Sequence, residues 1–142
     1  MLIYQLSNLA DNPIALVALV GALLVALVTG IAFHEFSHAW SAYILGDNTA
    51  KSQGRLTLNP AAHLDPAGTA LIIIAGFGWG KPTPVNPSYF RSGVQLGTAM
   101  VALAGPMSNT VIASILGILV KLGIVGFGAV GFSLFSGQNI IE

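Results

Sequence analysis

Residues Ile31 to Leu45 read I-A-F-H-E-F-S-H-A-W-S-A-Y-I-L and place His34, Glu35 and His38 at the end of a long apolar run. On a helix, residues four apart share a face, so His34 and His38 can grip one ion while Glu35, one step round, faces its open side. Neutral imidazoles suit zinc, and a carboxylate that is not a ligand can take a proton from an activated water and pass it to a leaving amine. The spacing points to a zinc hydrolase with one Zn2+ per chain.

Composition says where such a site would sit. Of the 142 residues 54% are hydrophobic and only 7% charged, too few charges to cover a soluble domain with an aqueous surface. The chain reads as an all-α integral membrane protein. Five basic and five acidic residues cancel, which leaves no basic surface for nucleic acid. The absence of cysteine excludes disulfides and thiolate metal sites, so metal chemistry falls to His, Asp and Glu.

Working outward, Asp11-Asn12-Pro13 marks a helix start, and no charge follows until the motif, so Pro13 to Phe33 is long enough to cross the hydrocarbon core. No Lys or Arg precedes this run, which argues against a cleaved secretory signal. Ala18, Ala22, Ala26 and Gly30 form a row that continues into His34 and His38, drifting about 40° per step. Small residues let another helix approach closely in lipid, so the face carrying the histidines is expected to look into the bundle. Ionisable groups placed there are functional by default, because lipid makes them expensive. A second span is expected over Gln95 to Val120, with Thr98, Ala102, Gly105, Asn109, Ala113 and Gly117 pressed against the first. Pro106 is expected to open that helix. After Lys121, Leu122 to Phe135 starts another apolar segment.

Between the spans, Gly46 suits a helix cap and Asp47-Asn48 a turn. Arg55 to Leu58 alternates polar and apolar residues, consistent with a short strand or hairpin whose edge could hold an extended substrate, or with a plain surface loop. His63 and Asp65 could be further metal ligands, partners that orient His34 or His38, or turn residues before Pro66. Gly68 to Gly80 is apolar but short, and reads as a re-entrant or interfacial segment. The K-P-T-P-V-N-P-S-Y-F-R loop that follows packs three prolines before Ser88 and cannot be helical. If Gly68 to Gly80 does not cross, Lys51, Arg55, Lys81 and Arg91 share one side, and the positive-inside rule turns that side and the site toward the cytosol. The expected architecture is a polytopic helical bundle, multi-pass in the cell membrane, with a short strand or hairpin loop near the site. A different class is also compatible: a non-proteolytic ion-binding or transport module in which buried histidines relay ions.

Four stretches carry a family resemblance over nearly the whole chain: H-E-F-S-H at 34–38, G-R-L-T-L-N-P-A-A-H-L-D-P at 54–66, G-W-G-K-P-T-P-V-N-P at 78–87 and A-G-P-M-S-N at 104–109. Together they resemble the site-2 protease family of intramembrane zinc metalloproteases, in particular its small prokaryotic members. The resemblance implies zinc held by His34 and His38, Glu35 as general base, and Asn109 near the reacting carbonyl. It also implies a membrane-embedded or membrane-adjacent helix of another protein as substrate. The family's third zinc ligand is an aspartate in an L-D-G motif on a later helix, and L-D-G does not occur here. Asp65 belongs to a different element of these small members and is not promoted to that role. The expectation is therefore a single membrane-embedded protease domain over 1–142, partial, with that aspartate beyond Glu142.

Overall fold

A computed structural model of the chain describes residues 12–75 and 77–124. Four helices follow one another: α1 Pro13–Ile44, the single turn α2 Thr49–Ser52, α3 Pro66–Ala75 and α4 Val94–Lys121. Short 3-10 turns at Pro60–Ala62 and Pro87–Tyr89 punctuate the connections. Both α1 and α4 are long and apolar enough to cross a membrane. The expected apolar segment after Lys121 lies largely outside the described residues.

The chain divides into two compact units. One comprises Met1–Ala26 and Ile115–Glu142; its described part exposes large apolar side chains such as Ile14, Val17, Ile118 and Leu122, as a lipid-facing surface would. The other, Leu27–Ser114, holds every residue of the candidate site.

Within Leu27–Ser114, α1 ends as its sequence suggests. Gly46 takes a left-handed φ of 109°, the Gly46 amide bonds Tyr43 and the Asp47 amide bonds Ala42, which closes a Schellman cap. Asp47 does more than turn the chain. Fully buried, its Oδ1 accepts from the Thr49 amide at 2.9 Å and its Oδ2 from the Asn86 amide at 2.7 Å. The Arg91 amide donates to the Leu45 carbonyl at 2.8 Å, and Phe90 packs with Ala42 and Val101 in a small core flanked by Leu45 and Val85. Gly97 leaves the space that the Phe90 ring fills, since a Cβ there would lie 2.3 Å from the ring.

The segment Gly68 to Gly80 leaves and returns. Asp65 Oδ1 accepts the Gly68 amide at 2.8 Å and so caps α3, with Pro66 at its first position. The chain then comes back to a single antiparallel bridge between Leu64 and Gly80, backed by the Lys81 amide on the His63 carbonyl at 2.7 Å. Two glycines permit backbone-on-backbone contact: a Cβ on Gly68 would stand 2.0 Å from the Trp79 carbonyl oxygen, and one on Gly78 2.1 Å from that of Gly68.

Three expectations are corrected. Arg55 to Leu58 is not a strand; there is no strand among the described residues, only the one bridge. Four alternating residues have no partner edge to pair with. Arg55 instead turns inward, buried, and its guanidinium donates to the Ala62 carbonyl. On α4 the inward row is Gly97, Val101 and Gly105, with Ser108 and Asn109 half-buried, whereas Thr98, Ala102, Ala113 and Gly117 are exposed. Of the face expected from the sequence, only Gly105 and Asn109 turn inward. The helix also runs unbroken through Pro106.

Gly68→Ala and Gly78→Ala should each cost about 1–3 kcal/mol by overpacking, read as a lower melting temperature in detergent, while Gly21→Ala, with open space around it, should not destabilise. Burial pushes the Asp47 carboxyl up, but hydrogen bonds from the Thr49 hydroxyl and the Asn86 and Thr49 amides outweigh it, leaving its pKa below the ordinary value. Its stabilisation is therefore present above the unfolded value of about 4 and disappears as pH falls through the lower folded value. Asp47→Asn should cost about 1–3 kcal/mol near neutrality and flatten this acid limb; a melting profile matching the parent at every pH would contradict the clamp.

Candidate metal centre

The geometry of the site follows from α1 lying against the small face of α4. His34 and His38, one turn apart, have ring centroids 4.6 Å apart with planes at 81°. One potential ligand atom from each of His34, Glu35 and His38 lies within 4.8 Å of the others. Nδ1 of His38 is 2.6 Å from the Val101 carbonyl of α4, an acceptor, so Nδ1 carries the proton and Nε2 keeps its lone pair. That carbonyl is one residue before the one at Ala102 that Pro106 leaves without an amide donor.

Both Nε2 atoms converge on Gly105. A Cβ built there would lie 2.6 Å from His34 Nε2 and 2.5 Å from His38 Nε2, so glycine keeps open the volume between the two rings. Zinc–imidazole bonds of about 2.0–2.1 Å need such a volume, and a ring whose other nitrogen is anchored on a carbonyl is the usual way to aim a ligand. The residues therefore fit a zinc ion. Asn109 stands at the second ring, its amide nitrogen 3.4 Å from Nδ1 of His34. A carboxamide presents donor and acceptor from one place; turned with Oδ1 to the ring it would accept Nδ1–H and leave His34 Nε2 free in the same way. Ser108, whose hydroxyl is 3.4 Å from the Phe33 carbonyl, adds a second polar contact between the two helices.

Glu35 points to a different neighbour. Its Oε2 accepts from the Thr83 amide at 3.0 Å and from the Thr83 hydroxyl at 2.7 Å, and Oε1 has no hydrogen bond from the described residues. Beside these groups lies a cavity of about 560 Å³ whose walls include His34, Glu35 and Asn109 together with Ile31, Ile72 and Trp79. Polar groups able to act on a peptide bond thus meet an apolar space. Phe77 to Gly80 lines this cavity and Gly54 to Leu58 does not.

The open roles of His63 and Asp65 are resolved toward structure. Asp65 caps α3, and His63, fully buried, has Nε2 2.7 Å from the Thr57 carbonyl, so it ties its own loop together. Neither joins the group around His34. Sequence reasoning missed Thr83, the Val101 carbonyl and the volume kept by Gly105. A threonine held between two prolines was the one available signal for the first; a backbone carbonyl offers none.

No family model matches the chain, and no solved structure matches it. Curated relatives do. The chain is 52% identical over 93 residues, 66% of its length, to "Putative zinc metalloprotease YwhC" of Bacillus subtilis (strain 168). It is 30% identical over 110 residues, 74% of its length, to "Putative zinc metalloprotease Rip2" of Mycolicibacterium smegmatis, and 28% identical over 108 residues to the protein of that name in Mycobacterium tuberculosis. Each match spans 42% of the relative's own length. Two imidazoles aimed at one spot beside a held carboxylate, together with these likenesses, support a zinc metalloprotease family for the chain.

Proposed function

We propose that the chain carries the core of an intramembrane zinc metalloendopeptidase of the site-2 protease type, acting on peptide bonds in or near membrane-spanning helices of other proteins. The observation that carries this reading is the convergence of His34 and His38 Nε2 on the space beside Gly105, with Glu35 at the edge of an apolar cavity. His34 and His38 would hold the ion; catalytic zinc usually has three protein ligands, and the resemblance implies an aspartate of an L-D-G motif, absent from this sequence, as the third. Bound zinc supplies Lewis acidity for the scissile carbonyl and lowers the pKa of water.

The chain's own residues do the rest. Val101 and Asn109 orient the two rings. Glu35, fixed through Oε2, offers Oε1 to take a proton from the attacking water and return it to the departing amine. Asn109, which also lines the cavity beside His34, would donate to a developing oxyanion. A substrate helix must unwind first, because its carbonyls are shielded by their own hydrogen bonds; its extended stretch would lie beside Phe77 to Gly80, which lines the cavity, and not beside Gly54 to Leu58. The apolar character of α1 and α4 supports a multi-pass membrane location. Lys51, Lys81 and Arg91 are exposed and support a cytosolic orientation of the site, whereas Arg55 is buried on Ala62 and carries no weight there.

In the full-length protein, Glu35→Gln should abolish cleavage of a membrane-helix substrate while zinc content stays at one per chain; retained turnover would overturn the role of Glu35 as general base, and a parent protein that binds zinc but cleaves no such substrate would favour an ion-binding module. Gly105→Ala should lower zinc occupancy as His38→Ala does, because its methyl fills the space between the rings. A fully loaded Gly105→Ala protein would show that the ion does not sit there.

A further inference from the structure

We infer that Thr83 is the positioning residue for Glu35, setting which carboxylate oxygen faces the reacting groups. The inference rests on the protease reading above and assigns a role to the proline-rich loop. Thr83 meets Glu35 at three points: its amide reaches Oε2 at 3.0 Å, its hydroxyl reaches Oε2 at 2.7 Å, and the same hydroxyl lies 3.1 Å from the backbone carbonyl of Glu35. The last contact registers the loop on α1 at Glu35 itself. The first two occupy one carboxylate oxygen and leave the other without a donor.

The loop is built to hold Thr83 still. Pro82 and Pro84 flank it, and a residue that precedes proline is confined to extended backbone, so its amide and side chain have few alternative directions. On either side the loop is tied down: Lys81 to the His63 carbonyl at 2.7 Å, Asn86 to Asp47 at 2.7 Å, and Arg91 to the Leu45 carbonyl at 2.8 Å. Buried His63 and buried Asp47, which take no part in chemistry, thereby act on Glu35 through Thr83. A glutamate has three rotatable bonds, and without these donors its carboxylate could swing toward the ion and become a ligand. Two donors on Oε2 oppose that swing, because leaving them would strip two charge-assisted hydrogen bonds.

The test uses the full-length protein with Thr83→Val, which keeps the shape and the amide but removes the hydroxyl, and Thr83→Ser, which keeps the hydroxyl. Thr83→Val should lower kcat by about tenfold or more with KM and zinc content unchanged, since the loss falls on orientation and not on binding. Thr83→Ser should restore most of the rate. In the infrared difference spectrum, the carboxylate stretch assigned to Glu35 by its disappearance in Glu35→Gln should shift in Thr83→Val and return in Thr83→Ser. Wild-type kcat with an unshifted band in Thr83→Val, or Thr83→Ser as damaged as Thr83→Val, overturns the inference while an inactive Glu35→Gln leaves the protease reading standing. A parent protein without cleavage marks failure of that reading instead, and the band then reports separately whether Thr83 holds the carboxylate.

Discussion

A side-chain nitrogen of one long helix bonded to a backbone carbonyl of the other is the constraint on which the site depends. Nδ1 of His38 sits 2.6 Å from the Val101 oxygen, a separation that requires α1 and α4 to approach closely. Glycine at 105 makes the approach possible, since any larger residue would occupy the space between the rings. One crossing serves two ends: it holds α1 against α4 through packing and a polar contact, and it fixes the tautomer of a ring proposed to hold the ion.

The second constraint comes from the loops. The few buried polar groups hold the connections between the long helices in place. Asp47, His63 and Arg55 are each buried and each hydrogen-bonded to backbone, and the strands of chain they tie lead to Thr83 and to the returning segment Phe77 to Gly80. Polar groups of this kind are costly unless satisfied, so the loop geometry they impose is cooperative: loosening one releases its neighbours. The cavity beside Glu35 is walled in part by that returning segment, which Gly68 and Gly78 allow to lie against α3.

Legibility in the sequence tracked distance along the chain. The helix of His34, Glu35 and His38, its glycine cap at 46, and the two long apolar helices are local features, carried by period, length and turn residues, and they stand in the structure as read. Asp65 was also local; of its three readings the structural one before Pro66 comes nearest, the residue capping α3. The errors arose where local pattern was ambiguous. Arg55 to Leu58 alternates as a strand would, but alternation over four residues also describes a loop with one inward arginine. On α4 two adjacent rows both contain small residues, and periodicity alone could not choose the row of Gly97 and Val101 over that of Thr98 and Ala102. The link between Thr83 and Glu35 spans 48 residues and that between His38 and Val101 spans 63, and neither partner advertises the other in residue type.

The central claim is that His34 and His38 bind one zinc ion through Nε2 beside Gly105. Zinc K-edge X-ray absorption on the loaded full-length protein addresses it directly. Two imidazoles in a first shell at about 2.0–2.1 Å, reduced to one in His38→Ala, is the result the account predicts. A spectrum without imidazole scattering, or one that His38→Ala leaves unchanged, would contradict it.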